Sequence, residues 1–286
     1  MEENKQFLKQ EKKLQKLNKK TEKIEQKESL KVAEIVEKKK EHQQLLRKKV
    51  SKRREKKEKE ALEAPIKKEK KQRIRALNEP PQRPVLEEIG NAVTHGVGAI
   101  LGITGLVLLL LKSDTGLKIT ASIVYGLSMT VMMLMSCLYH SFKKGSTVKR
   151  IWRRFDYSSI YLLIGGTFAP IYLVYWGNVL GISLFAVQWA LIITGITFVC
   201  VFGPGRLKWL HYTLYFAIGW SGLIFIPDFI QNNLPLLWMI LGGGLVYTLG
   251  MIPFAKKGVK SAHFIWHFFV LAGAVVQFFG VLLYIY

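Results

Sequence analysis

The chain contains only two cysteines among 286 residues, Cys137 and Cys200. Both fall in apolar stretches beside basic loops, on the side where we expect the reducing conditions of the cytoplasm, and this argues against a structural disulfide. Free cysteine is among the most buried residue types, so we interpret both as small packing residues inside the fold rather than as ligands.

Aromatic and acidic residues are scarce in different parts of the chain. Residues 1–85 hold 29 Lys+Arg, 15 Asp+Glu and a single aromatic residue, Phe7. A segment of this composition cannot bury a core. Residues 86–286 hold 13 Lys+Arg and only 5 Asp+Glu among long apolar runs. We therefore predict a charged N-terminal arm over residues 1–84 and a separate apolar domain over residues 85–286.

Seven apolar runs in the second part reach or approach the ~20 residues that a helix needs to cross ~30 Å of hydrocarbon. They cover residues 89–111, 117–142, 156–176, 179–202, 209–227, 234–255 and 262–286. These runs predict an all-α membrane protein, a seven-transmembrane helix bundle. The charged first residues lack the apolar core of a cleavable signal peptide, so we expect the first apolar helix to direct insertion.

Positive charge recurs at every second connection between the predicted spans. The alternate connections carry only Lys112 and Lys118, both at their boundaries. The basic connections, besides the basic segment before the first span, hold Lys143, Lys144, Lys149, Arg150, Arg153 and Arg154, then Arg206 and Lys208, then Lys256, Lys257 and Lys260. Because basic loops stay in the cytoplasm, we predict a multi-pass protein of the cell membrane with a cytoplasmic N-terminus and an external C-terminus.

The charged arm admits more than one interpretation. Its Glu and Lys residues often stand three or four apart, which supports a solvated helix, and Leu14, Leu17 and Ile24 give fragments of a heptad. The arm is then a partly helical, partly disordered, solvated segment, or it attaches to anionic lipid head groups. A specific nucleic-acid partner is disfavoured, since aromatic residues do not interleave the charges. Three prolines between residues 80 and 84 mark the boundary of the arm.

Four polar side chains fall at one predicted depth, near the basic side of the apolar spans. On a helix, Ser136 and His140 share a face, and so do His263 and His267. Asp156 is the only carboxylate that begins a span on this side after the first helix. Polar groups in hydrocarbon need partners, and three histidines with one acid share a partner most simply in a metal ion. Imidazole ligands favour zinc, and three ligands plus water form an open, catalytic site.

Each residue also has an ordinary structural interpretation. His140 alone is compatible with an interfacial histidine bonded to a backbone carbonyl, and Asp156 alone with a helix N-cap. His263 and His267 alone are compatible with packing and capping of the last helix. His95, in the first span, is either a second donor to the site or a structural residue, and we favour the structural role. His211 follows Arg206 and Lys208, and we interpret it as an interfacial residue.

Five sequence motifs lie in or beside the predicted spans: EEIGNAVTHG (87–96), SCLYH (136–140), RFD (154–156), IYLLIGGTFAP (160–170) and HFIWH (263–267). Together they resemble the hemolysin III family, the bacterial branch of the progestin and adipoQ receptor superfamily, which is related to the alkaline ceramidases. The resemblance implies a seven-helix bundle in which His140, His263 and His267 hold zinc and Asp156 contacts a water, with Ser136 beside the site. It covers residues 85–286 and leaves the arm outside.

The sequence departs from the pattern of the family in two places. Tyr157 stands where many relatives carry another histidine, and Phe168-Ala169 replaces a more common Tyr-Thr before Pro170. Neither departure affects the matched ligands, but we expect both to change the pocket and thus the substrate.

The resulting expectation is a zinc-dependent hydrolase of a lipid amide or ester, in which Asp156 orients or deprotonates water and Ser136 donates a hydrogen bond. Two alternatives stay open. One is a membrane-perturbing cytolysin, although the spans are polar mainly at one end, which disfavours a wide pore. The other is a lipid-sensing receptor or regulator with structural zinc, since the same three ligands serve both roles.

Overall fold

The structure, a computed structural model, describes residues 2–255 and 261–286, without the side chains of residues 3–6 and 255. It divides into two compact units, Met1–Gln72 and Arg73–Tyr286. The predicted loop lysines 256, 257 and 260 lie outside the described residues.

The arm forms one helix, α1 (Glu2–Leu77), whose side chains are almost all exposed. Acid–base pairs one turn apart follow its surface, such as Lys38 Nζ to Glu34 Oε1 at 3.0 Å and Lys67 Nζ to Glu63 Oε2 at 2.7 Å. Pairs of this spacing stabilise a solvated helix by a few tenths of a kcal/mol each. Within the predicted arm, Glu2–Leu77 is helical and residues 78–84 are not.

Asn78 follows the last residue of α1 and makes hydrogen bonds within the second unit. Its Nδ2 donates to the carbonyls of Ile74 and Phe202 at 3.2 and 3.1 Å, and its Oδ1 accepts from the N–H of Gly205 at 2.9 Å. Gly203 has a φ of 78°, and a Cβ there would collide with the Asn78 side chain. Glycine at this position therefore provides both the left-handed backbone and the space for the contact.

Seven helical segments of the second unit are long and apolar enough to cross a membrane, which confirms the predicted all-α, seven-span architecture. The fifth of them joins α6 and α7 through a 3₁₀ turn, and α4 continues into a π-helical turn at Ile171–Trp176. The helices are α2 (Val85–Leu111), α3 (Gly116–Ser141), α4 (Thr147–Pro170), α5 (Val179–Phe202), α6 (Lys208–Gly219), α7 (Ile226–Asn232), α8 (Leu234–Ala255) and α9 (Ala262–Tyr284). The protein is a multi-pass membrane protein.

Two helices begin earlier than the hydropathy pattern predicts. Helix α2 starts at Val85, so that Glu88 lies in its first turn rather than before it. Helix α4 starts at Thr147 after the N-cap Ser146, whose Oγ accepts from the N–H of Lys149 at 3.1 Å. Asp156 therefore lies well inside α4, and the alternative that made it a helix N-cap is wrong.

Helix α3 packs most closely against α2 and α4, while α9 packs against α8 and α2. The approach of α2 to α3 depends on Gly102, where an added Cβ would lie 3.1 Å from the Cα of Thr130. Small residues of this kind allow close backbone contact between membrane helices. As a result, α2, α3 and α9 meet where their polar side chains lie.

Candidate metal centre

The imidazoles of His140, His263 and His267 converge at the basic end of the bundle. Nε2 of His263 lies 3.3 Å from Nε2 of His140 and 3.2 Å from Nε2 of His267. One nitrogen from each ring can be chosen so that all three lie within 4.8 Å of one another. His140 and His267 are buried, and His263 is half-buried. The predicted triad is thus brought together, and it could hold a metal ion.

Two of the three separations between these nitrogens fit a tetrahedral ion. Imidazole nitrogens bind zinc at about 2.0–2.1 Å, and two such ligands at a tetrahedral angle lie about 3.3 Å apart. The two Nε2 to Nε2 distances, 3.3 and 3.2 Å, match this separation. Neutral imidazoles at this distance either form an N–H···N hydrogen bond or share a cation, so the geometry is compatible with a metal ion.

Glu88 of α2 holds the far side of the His140 ring. Its Oε2 lies 2.6 Å from His140 Nδ1, and the side-chain amide of Asn91 lies 3.3 Å from the same nitrogen. A hydrogen bond from Nδ1–H to the carboxylate fixes the tautomer, so that the Nε2 lone pair points toward the other two histidines. Carboxylates in this position also raise the basicity of a metal-binding histidine.

Lys149 of α4 balances the charge of Glu88. Its side chain is almost completely buried, with a relative exposure of 1% for the residue. Its Nζ lies 3.1 Å from Glu88 Oε2 and donates to the carbonyls of His140 and Phe142 at 3.4 and 3.2 Å. The ammonium group thus has three partners, which matches its three N–H donors. Helices α2, α3 and α4 are joined at the site through this one group.

The other two imidazoles are held by packing. Nδ1 of His263 and Nδ1 of His267 are buried and have no hydrogen-bond partner within residues 2–255 and 261–286. The ring of His267 stacks on that of His95, with centroids 3.8 Å apart, and the ring of His263 lies 5.7 Å from that of Phe254. His95 therefore supports the triad by stacking and is not among the three converging ligands.

Asp156 and Ser136 line a cavity together with His263, His267 and His95. The cavity has a volume of about 170 Å³. Ser136 is buried and Asp156 is half-buried. The two polar side chains therefore line the same cavity as His263 and His267.

Away from the histidines the cavity is apolar and elongated. On α4 its lining runs from Asp156 to Phe168, which is about 18 Å along a helix axis. On α9 it runs from His263 to Gln277, about 21 Å. Large apolar and aromatic side chains form most of its wall, including Met132, Leu163, Trp220, Tyr247, Phe254 and Val270. A narrow apolar space of this length suits an extended hydrocarbon chain.

Sequence reasoning missed Glu88, Asn91 and Lys149. A signal was present, because Glu88, Asn91 and His95 stand at helical spacing and share one face of α2. Two lesser interpretations were wrong. His211 is not interfacial but completely buried, with Nδ1 3.0 Å from the Tyr161 hydroxyl. Cys200 is exposed on α5 rather than packed inside.

Residues 84–278 match the model of a protein family described as Haemolysin-III related. The chain belongs to the haemolysin III family. The match covers all the site residues described above and begins at the residue before α2, so α1 lies outside it. This confirms the resemblance inferred from the five motifs.

Three similar proteins each cover 70% of this chain. Hemolysin-3 of Bacillus cereus is 38% identical over 205 residues, which are 70% of this chain and 93% of the relative. The Hemolysin-3 homolog of Bacillus subtilis (strain 168) is 35% identical over 204 residues, 70% of this chain and 95% of the relative. The monocyte to macrophage differentiation factor of Homo sapiens is 29% identical over 211 residues, 70% and 85% of the two chains.

Proposed function

We propose that this haemolysin III protein is a zinc-dependent hydrolase that cleaves an amide or ester bond of a membrane lipid. The observation that carries the proposal is the convergence of three imidazole nitrogens at one end of an apolar cavity that Asp156 and Ser136 also line. In this proposal residues 85–286 form the catalytic domain and residues 1–84 form an accessory arm.

Zinc is the metal we propose, on the chemistry of the donors. Three imidazoles without a thiolate or a close array of carboxylates favour zinc over magnesium or calcium. Three protein ligands leave a fourth position open, as in catalytic rather than structural zinc sites. When bound, zinc would lower the pKa of a water toward ~7 and polarise a carbonyl oxygen.

The protein side chains supply positioning and proton transfer. Asp156 accepts the proton of the attacking water and returns it to the leaving group. Ser136, on the same face of α3 as His140, donates a hydrogen bond to the oxygen on which negative charge develops. Glu88 and Lys149 keep the His140 ring in the orientation that binding requires.

The substrate is proposed to be a lipid because the cavity that Asp156 and Ser136 line extends along the apolar interior of the bundle, over about 18 Å of α4. An acyl chain placed there puts its carbonyl beside the histidines, and the remainder of the lipid at the basic end of the bundle. Burial of the acyl chain in the cavity also excludes water from the whole cavity except the site itself.

We propose that the basic end of the bundle, with the loop lysines 143 and 144 and Arg206, faces the cytoplasm. The N-terminus is then inside, the C-terminus is outside, and the site opens near the inner leaflet.

The decisive experiment combines metal analysis with turnover on purified protein. Elemental analysis should find one zinc per chain in the wild type and in Asp156→Asn, and less in each single His→Ala variant. Lipid extracts should be hydrolysed by the wild type and not by Asp156→Asn. The matched control is Asp114→Asn, an exposed acid that pairs with Lys118 away from the site. Unchanged turnover in Asp156→Asn contradicts the catalytic role, and zinc without any wild-type turnover favours a receptor.

A second candidate function is membrane lysis, which the name of the Bacillus cereus relative, Hemolysin-3, suggests. Dye release from liposomes that contain the purified protein separates it from hydrolysis of a lipid. Leakage that is equal in the wild type and in His140→Ala supports lysis independent of the metal site.

A further inference from the structure

Nine large apolar side chains of α1 share one face of the helix. At 100° per residue they fall within a sector of about 120°. Each has a relative exposure between 45% and 67%, far above the value of a packed residue. This apolar stripe consists of Phe7, Leu14, Leu17, Ile24, Val32, Ile35, Val36, Leu46 and Val50.

A row of lysines follows one edge of the apolar stripe. On the same helical projection each lies within about 40° of the last apolar position on that side. This lysine row consists of Lys13, Lys20, Lys31, Lys38 and Lys49. Long lysine side chains beside an apolar face can extend their ammonium groups to a charged surface while the face itself is covered. The other edge carries both signs of charge, with Glu11 and Glu22 beside Lys40 and Arg47.

The stripe does not fit a long coiled coil with a second copy of this chain. A heptad through Leu14, Leu17 and Ile35 continues into His42 and Lys49, which are polar. The stripe instead keeps a period of 3.6 residues, so it stays on one side of a straight helix and suits a flat partner. In addition, residues 1–50 carry 16 Lys+Arg and 9 Asp+Glu, so that two parallel copies repel each other.

The charge and the chain connection both favour a bilayer surface. Helix α1 ends at Leu77 and the first span begins at Val85, so the arm is connected to the membrane by only a few residues. A positive helix beside a membrane gains about 1 kcal/mol for each Lys or Arg close to anionic head groups. The stripe alone is too sparse for strong insertion, because Glu25 and Glu28 lie within its sector. Attachment therefore requires anionic lipid.

We propose that the apolar stripe and the lysine row of α1 together bind the surface of an anionic bilayer. The helix lies in the plane of the membrane with the stripe at the level of the lipid glycerol groups and the lysine row against the phosphates. This binding does not depend on the proposed hydrolase activity, since it uses neither the histidines nor the cavity.

The test uses the full chain, one copy per nanodisc, in phosphatidylcholine or in the same lipid with 30% phosphatidylglycerol. A protease that cleaves after glutamate reports on the arm, and mass spectrometry follows cleavage at Glu11, Glu22 and Glu34. We expect cleavage to be at least about tenfold slower in the anionic discs, because bound helix is protected, and the difference to disappear in 0.5 M salt.

Two variants and one control identify the surface. The triple variants Leu17→Ser/Ile24→Ser/Ile35→Ser and Lys13→Gln/Lys20→Gln/Lys31→Gln should each lose most of the protection. The control Leu30→Ser/Leu45→Ser changes two equally exposed leucines off the stripe and should keep it. The proposal is overturned by equal cleavage in both lipids, by triple variants that stay protected, or by protection that appears only when two copies share a disc.

Discussion

Nδ1 of His140 lies 2.6 Å from Oε2 of Glu88, so a carboxylate on the first span holds a proposed metal ligand on the second. The contact makes the geometry of the triad dependent on a residue that does not itself bind the ion. It also places an acid inside the membrane domain, where the partner Lys149 compensates its charge.

Replacing Glu88 by Gln should weaken zinc binding by about 10- to 100-fold, because loss of a carboxylate behind a metal-binding histidine costs that much affinity. Competition with a zinc chelator measures the change. Glu87→Gln is the matched control, since the nearest charged partner of Glu87 is not a histidine. Its Oε1 lies 3.7 Å from Nε of Arg83. Equal zinc affinity in the two variants would mean that Glu88 has no part in holding the ligand.

Replacing Lys149 by Met should destabilise the bundle by about 3 kcal/mol, because it leaves the half-buried Glu88 carboxylate without its cationic partner. The double variant Glu88→Gln/Lys149→Met should recover part of the loss, with a coupling of about 1–3 kcal/mol. Unfolding in detergent of the four proteins of the cycle gives this value. Strictly additive effects would show that the two residues act independently.

Replacing Gly244 by Phe should block the cavity without affecting the metal. A Cβ added there meets nothing closer than the Trp220 ring at 3.4 Å, so the backbone need not shift and the phenyl group extends into the cavity. We expect turnover of long-chain lipids to fall by about tenfold or more while shorter chains are retained. Gly242→Phe is the control, because Gly242 does not line the cavity. Loss of zinc in Gly244→Phe would point to misfolding instead.

The proposed orientation predicts which loops are reached from outside the cell. In a Cys137→Ser/Cys200→Ser background, a cysteine at Asp114 should react with a membrane-impermeant maleimide on intact cells, and a cysteine at Lys144 should react only after permeabilisation. The two sites lie at opposite ends of α3. The reverse pattern would invert the topology and place the site near the outer leaflet.

The sequence predicts the seven spans and the histidine triad for a physical reason. Hydropathy sums a transfer free energy over about 20 residues, so long apolar spans stand out whatever their neighbours are. His263 and His267 stand out because a period of four residues fixes their shared face. Both signals are local, and neither requires knowledge of which helices touch.

The start of α2 and α4 could not be predicted in the same way. Hydropathy treats Glu88, Lys149 and Arg153 as residues that must remain in water, whereas the structure buries Lys149 against Glu88 and Arg153 against the carbonyl of Glu79. Such burial depends on partners that are distant in sequence. The arm could not be predicted for a different reason. Its charge pairs allow a helix, but it has no core, so the sequence does not distinguish a helix from a disordered segment.

The contacts of Asn78 also set an order of events during synthesis. Its partners Phe202 and Gly205 follow it by 124 and 127 residues. The Asn78 side-chain amide can therefore form these hydrogen bonds only after the first four spans have been synthesised. Until then, the residues that follow α1 lack the contacts of Asn78 and keep those of Glu79 with Arg150 and Arg153. Nascent chains halted before residue 205 should therefore be cleaved by proteases more readily in this segment than the complete chain.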